Sequence, residues 1–494
     1  MTQVPVLIDS SLKIFDAPPL YESFVETRDI VIRPVDGWQA GNTIDFVLPK
    51  YESMLYESDS FQIHMTTNIV NEDGSAPDEA KQSYAPANGV GFSAFSYATI
   101  QIGNDFICGD NKYDVYKNYL EYLLGHSKEA KETWMKYSLI YQEDESGMFD
   151  DKTIISKVRT IHPNNGGGGG AGGGGAGGGA GGGAGGGGGG NKDKKNKNQE
   201  GEVPQRDEPS DADLISNAAF NWKYELYSFN SKVKTVAKLQ YPLAQSKKML
   251  PPGINMKVSL KKNDDKWIII CDPADTAMKL KIDDIYMTAR LRVPTPQIFE
   301  QITKQLIASD GFARYPFLRS SISGPHHLVK NQTEFQFTAF KDVPPSAAFV
   351  FCIEAEACKG SFSKNPFRMT NPLYKQLALE VEGDTFPTNG YNFGNTFSHD
   401  PLAAQCKQVY LDLYRVLQQQ YGGSNCGLTY ESFLAGSTII GFQLNGKFLR
   451  HKMSGTGIHV RFRYRTGIHE VIFQKHFQVK STLLKEKVVT PECL

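Results

Sequence analysis

The sequence has no stretch that approaches eighteen uninterrupted apolar residues, so no segment is expected to cross a membrane as a helix. Met1 to Pro19 lacks a basic region followed by an apolar run, and no secretory leader is expected there. The seven cysteines are Cys108, Cys271, Cys352, Cys358, Cys406, Cys426 and Cys493. None forms a C-x-x-C pair, which excludes the close ligand pairs of a structural zinc site. They are expected as reduced thiols, several of them small core residues. Charge of one sign is also missing. Lys and Arg total 53 against 54 Asp and Glu, a net charge of −1, so bulk nucleic acid has no strong electrostatic claim on the whole chain.

The chemistry of catalysis is equally sparse. There is no G-x-S-x-G elbow, and the glycine-rich segment holds only Gly and Ala, so it cannot supply a phosphate-loop lysine. None of the ten histidines falls in an H-E-x-x-H or H-x-H pair. His459 and His469 could meet on facing strands as a metal pair; polar strand-edge residues are the plainer reading. His326-His327 follows Gly324-Pro325 and reads as a loop. Glu380 and Glu382 share one face of an expected strand and could serve as an acid/base pair; a solvent-facing edge is the plainer reading. Asn331-Gln332-Thr333 matches a glycosylation sequon that has little meaning without a leader. No catalytic residue, cofactor or metal ligand is assigned.

What is present is length and strand pattern. A chain of 494 residues, 40% hydrophobic and 22% charged, suits two or three ordinary domains. Gly166 to Gly190 is broken only by four alanines, and the polar stretch Asn191 to Ser210 follows it. Such a segment buries nothing and carries the largest ordering entropy, so 164–210 is expected to be a disordered loop. Its lysines could be a nuclear-import patch; a solvated loop flank is the simpler explanation.

Before this insert, β-branched and aromatic bias predicts strands at Asp29–Pro34, Thr43–Pro49, Ser60–Thr67 and Ser96–Gly103. A helix is predicted over Lys117–Tyr137, from the spacing of Tyr119, Leu120, Leu123 and Leu124. After it, strands are predicted at Trp222–Tyr227, Asn255–Lys261, Lys266–Cys271 and Lys281–Val293, with Lys261–Asp265 as a hairpin turn. Four strands on each side make the eight of one jelly roll, with the insert between the fourth and fifth. A helix over Pro296–Ile307 follows, and the pattern restarts. Strands are predicted at Arg314–Ile322, Glu334–Phe340, Ala347–Ala355, Gln376–Glu382, Thr438–Leu444, Gly457–Arg465 and His469–Val479, with a helix over Leu402–Gln420. That leaves one strand of a second roll unassigned. Ala98-Thr99-Ile100-Gln101-Ile102-Gly103-Asn104-Asp105 and Leu377-Ala378-Leu379-Glu380-Val381-Glu382-Gly383-Asp384 precede the two long helices in the same way, as a strand ending in a glycine turn. The expected fold is all-β: two eight-stranded antiparallel sandwiches, a double jelly roll with short helices in the connections. The rolls would span 24–306 and 311–479, with terminal arms 1–23 and 480–494.

Four blocks resemble the double jelly-roll major capsid proteins of Polinton (Maverick) elements and adintoviruses, with virophage and adenovirus-hexon proteins as remoter relatives. They are Leu12 to Pro19, Tyr116 to Lys131 (Y-x-x-Y-x-E-x-L-L and a Lys-Glu-Ala-Lys turn), Leu250 to Val258, and Lys364-Asn365-Pro366-Phe367 with Leu379 to Gly383. The glycine insert and the segment after Gly436, which lacks an acidic character, depart from that family's pattern. The resemblance implies a structural protein and not an enzyme. It implies a homotrimer whose pseudo-hexagonal outline tiles an icosahedral shell around DNA, with a minor or penton capsid protein as a further partner. The location implied is the virion, after an intracellular, or nuclear, stage. Candidate subunit contacts are the helix faces near Tyr119 and Tyr410 and the Arg461/Arg463/Arg465 stripe; phosphate binding is the less favoured reading of that stripe. The alternative from another class is a cupin-like jelly-roll enzyme or a carbohydrate-binding sandwich.

Overall fold

A computed structural model describes residues 23–103, 105–106, 113–141, 149–152, 217–241, 247–274, 276–308, 312–328, 334–338, 347–370, 374–381, 384–393, 404–421, 425–444, 459–464 and 469–485, with single positions 244 and 345. The glycine insert, nearly all of the N-terminal arm and 486–494 lie outside the described residues.

Among the described residues of the first half twelve strands form: β1 (Phe24–Ile32), β2 (Thr43–Val47), β3 (Leu55–Glu57), β4 (Gln62–Asn71), β5 (Ser83–Pro86), β6 (Phe95–Ile102), β7 (Asp105–Phe106), β8 (Val233–Lys238), β9 (Met249–Leu250), β10 (Met256–Lys262), β11 (Ile269–Asp272) and β12 (Met278–Pro294). Nine follow among the described residues of the second: β13 (Phe312–Leu328), β14 (Glu334–Thr338), β15 (Ala347–Glu354), β16 (Met369–Thr370), β17 (Tyr374–Val381), β18 (Asp384–Asn392), β19 (Ile439–Gln443), β20 (His459–Tyr464) and β21 (His469–Lys485).

The pairing identifies the fold. In the first half β1-β12-β4-β8 make one antiparallel sheet and β2-β10-β6-β7 the other, with β3 and β9 added to the first. In the second half β13-β21-β15-β19 and β14-β20-β17-β18 repeat this arrangement, with β16 added. Counted in chain order within each set of eight, both halves read 1-8-3-6 and 2-7-4-5. That is the strand order of a jelly roll, and the chain is a double jelly roll.

Alternation builds each sandwich. In the smaller sheet of the first roll Val258 stands opposite Phe46 and Ile100, and Leu260 opposite Ile44 and Ala98. In the larger sheet Met65 stands opposite Ile285, and Ile63 opposite Met287. All but Ala98, which is partly buried, are buried, and all belong to one core. Each such side chain contributes roughly 1.5–3 kcal/mol by leaving water. β15 breaks the alternation because Ala347 to Ile353 is buried on both faces. Its Phe351 lies 6.0 Å, ring to ring, from Tyr116 of the first roll.

Several elements differ from the sequence expectation. Trp222–Tyr227 is part of a helix, Ala218–Tyr227, because the Asn217 side chain caps it by accepting from Phe220 N–H at 2.9 Å. The strand there is β8. Lys261–Asp265 is not a hairpin turn: β10 and β11 belong to different sheets, and Asp265 opens a helical turn, Asp265–Ile268. The predicted helix Lys117–Tyr137 is three pieces, Asp114–Gly125, Lys128–Glu132 and the 3-10 turn Trp134–Ser138. Ser127 caps the second by accepting from Ala130 N–H at 3.3 Å. His326 and His327 sit within β13 and not in a loop; the His326 ring stacks on Phe337 at 3.9 Å. β18 is the strand that was missing from the second roll. β21 runs to Lys485, into what was expected to be a terminal arm. Of the eight roll-forming strands in the first half, five precede the glycine insert and three follow it, instead of four and four.

Candidate assembly interface

The functional geometry starts at the seam between the rolls. Both rolls send their helices out between the fifth and sixth of their eight strands: Asp114–Gly125, Lys128–Glu132 and Ala218–Tyr227 from the first, Ala404–Tyr421 and Tyr430–Ala435 from the second. Helix Asp114–Gly125 buries Tyr116, Tyr119, Leu120, Tyr122 and Leu124, and these join the core of the second roll. Tyr119 stacks on Phe367 at 4.2 Å, Tyr122 stacks on Phe92 at 4.8 Å, and Trp267 meets Phe367 edge-on at 5.1 Å. Phe367 is positioned by its own turn, where Asn365 Oδ1 accepts from Phe367 N–H at 3.0 Å.

Polar groups lock the same seam. Asp150 accepts from Arg368 at 2.6 Å and from Asn365 N–H at 2.7 Å. The carbonyl of Phe149 accepts from the side chains of Asn217, at 3.3 Å, and Asn365, at 3.4 Å. Tyr421 donates to Glu121 at 3.1 Å. The buried Lys131 ammonium donates to the carbonyls of Leu123 and Cys426, one from each roll. Burial lowers its pKa to about 8. A small cavity beside it is lined by Tyr119, Tyr122, Leu123, Leu428 and Ser432.

The sequence-predicted contacts separate on this frame. Tyr119, 4% exposed, is buried in the chain's own seam. Tyr410 is half-buried and turned inward, its hydroxyl donating to Leu428 O at 2.6 Å. Its neighbour Leu411 is 51% exposed. Arg461 and Arg463 lie on β20, where Arg461 stands opposite Gln336 and Ala378, and Arg463 opposite Glu334 and Gln376. Arg465 lies outside the described residues. Glu380 stands opposite His459 across β17 and β20, Glu382 lies outside the described residues, and His469 begins β21 in the other sheet. Among the described residues no group of three or more His, Cys, Asp or Glu could hold a metal ion. No helix among them is long and apolar enough to cross a membrane.

Sequence reasoning missed a different surface. Trp222, Leu226 and Phe229 are 49%, 39% and 84% exposed. Trp222 and Leu226 are four residues apart on the outer face of helix Ala218–Tyr227, opposite buried Phe220, Tyr224 and Tyr227. Phe229 and Asn230 both hold left-handed φ, +57° and +52°. The turn is pinned by Glu79, which accepts from Phe229 N–H, and by Asn68, which donates to Asn230 Oδ1 at 3.0 Å. The signal was an i, i+4 apolar pair, hidden once the segment was read as a strand.

No protein-family profile matches the chain, and no curated protein sequence matches it. Solved structures do. A chain of the Sputnik virophage, seen by cryo-EM, superposes with a TM-score of 0.53 at 10% identity, covering 100% of this chain and 96% of that one. The mavirus major capsid protein superposes at 0.45 with 12% identity, covering 98% and 94%. The Faustovirus major capsid protein superposes at 0.46 with 8% identity, covering 97% and 93%.

Proposed function

We propose that this chain is a major capsid protein, a structural building block whose copies assemble into a closed shell. The observation that carries the reading is the repeated 1-8-3-6 and 2-7-4-5 strand order, with the two rolls locked into one block by a shared core. The end-to-end likeness of fold to the Sputnik virophage chain supports it. Two like rolls held side by side give a subunit with two similar edges. Three such blocks around an axis present six rolls in a pseudo-hexagonal outline, and closed cyclic symmetry is the common choice of homo-oligomers. The finer reading is a homotrimer of Polinton or adintovirus type that ends in the virion, and the block Tyr116 to Lys131, which carries that resemblance, supports it. A vertex protein would be its second partner.

The test is sedimentation of the purified chain at micromolar concentration and moderate salt, with negative-stain microscopy of the peak. A stable threefold species, or sheets and shells built from it, is expected, each subunit interface burying more than roughly 2,000 Å². A monomer that binds a sugar or turns over a substrate would replace the reading with the cupin-like or lectin-like one.

A further inference from the structure

The internal repeat makes the seam inside one chain a template for the contact between chains. In the second roll the helix just before the sixth strand, Tyr430–Ala435, is covered at the seam. Phe149 of the first roll packs against Gly436 at its end, and Tyr119, Tyr122 and Lys131 share a cavity wall with Ser432 and Leu428. In the first roll the helix in the same place in the chain order is Ala218–Tyr227, which leads into β8. Its outer face carries the exposed Trp222 and Leu226, and the pinned Phe229 follows. Three large apolar groups held by a capped helix and a fixed turn are pre-organised for contact, the pattern of binding hot spots.

We propose that this face is covered by a second copy of the chain, through the outer face of its helix Ala404–Tyr421. The inference rests on the capsid reading and names the contact that reading needs. Helix Ala404–Tyr421 is the second roll's counterpart, in chain order, of Asp114–Gly125, the helix that the first roll brings to the internal seam. In a ring that alternates first and second rolls, each internal seam is followed by one between chains. There the second roll supplies its long helix and the next first roll supplies the helix before its sixth strand. The chemistry of the two faces agrees. The exposed positions Lys407, Leu411 and Arg415 recur every four residues along Ala404–Tyr421, an apolar group between two cations. The opposing face pairs Trp222 and Leu226 with the half-buried Glu225 beside them. Leu411 meets the apolar pair, and the cations meet the indole face and the carboxylate.

The experiment uses the full chain. Trp222→Glu and Leu411→Glu, made separately, are compared with wild type by sedimentation over a concentration series, with thermal melting to confirm that each variant is folded. Each should weaken association about tenfold or more while leaving melting of the dissociated chain unchanged. As a second readout, a Trp222→Cys chain and a differently tagged Leu411→Cys chain are mixed and treated with a short bis-maleimide, with wild type as the control for native thiols. Crosslinks joining the two tags are expected. A wild-type chain that assembles while neither Glu variant weakens it and no mixed crosslink forms overturns this inference and leaves the capsid reading standing. Weakening by only one of the two overturns the pairing. A wild-type chain that stays monomeric overturns both.

Discussion

At the scale of single residues, the seam concentrates its consequences in Lys131 and Gly436. The Lys131 amine gives up its proton near pH 8 in the folded chain and near 10.5 when unfolded. Between those values the unfolded chain binds the extra proton, so stability rises with pH across the window, by roughly 3 kcal/mol in all. Below pH 8 the full cost of the buried charge is present. Wild type should therefore gain melting temperature between pH 7.5 and 9.5 relative to Lys131→Met. Parallel melting curves against pH for the two proteins would refute this. Gly436 ends its helix at φ −177° and ψ 13°, outside the left-handed region, and a Cβ there would run into the Phe149 ring. Gly436→Ala should cost about 1–3 kcal/mol by overpacking. In a Phe149→Leu background most of that cost should vanish. Denaturant titration of the four proteins measures the coupling, and strict additivity would show that the two residues do not meet.

At the scale of elements, the anchor of the glycine insert gives a further test. Residues 153–216 separate Lys152 from Asn217, yet the Asn217 side chain reaches the carbonyl of Phe149 at 3.3 Å. The chain resumes where it left off, and closing such a loop depends only on the logarithm of its length. Deleting Gly166–Gly190 should change stability by less than about 1 kcal/mol. A collapse in melting temperature on deletion would mean that the glycines support the seam. The elements that sequence revealed are those whose environment is local. The two octapeptides were a true repeat: Ile102 pairs with Asp105 and Val381 with Asp384, the same hairpin in each roll, and Gly103 supplies φ +60° at the first. β18 was hidden because Pro387 and Gly390 punctuate it. The pairing jumps from Leu377↔Tyr391 to Leu379↔Phe386, so the intervening residues bulge from an edge strand where a proline is tolerated. Helix Ala218–Tyr227 was hidden because its cap, Asn217, lies five residues before the Trp222 at which the expected strand began. The site was less legible than the fold. Tyr119 reads as a surface tyrosine on an amphipathic helix, and only the second roll, whose Phe367 lies far later in the chain, turns that face into core.

At the scale of the whole molecule, the halves do not close their cores separately. The larger cluster of the second roll includes Phe92, Tyr116, Tyr119, Tyr122 and Trp267 from the first. Expressed alone, residues 24–308 would expose that aromatic face, and 312–485 would lose the cover over Phe351 and Phe367. Each half should be poorly soluble or bind a hydrophobic dye strongly, and co-expression of the two should restore a soluble complex. Two halves that each melt cooperatively and stay soluble would disprove the shared core. The interleaving also sets a clock on synthesis. Helix Asp114–Gly125 leaves the ribosome long before β19 does, and at ordinary elongation rates the interval is roughly 15–60 s. For that time Tyr116, Tyr119 and Tyr122 face water beside neighbouring nascent chains that bear the same unpaired surface. A chain folded in this way therefore places its heaviest need for chaperones in the middle of translation, long before its second roll is complete.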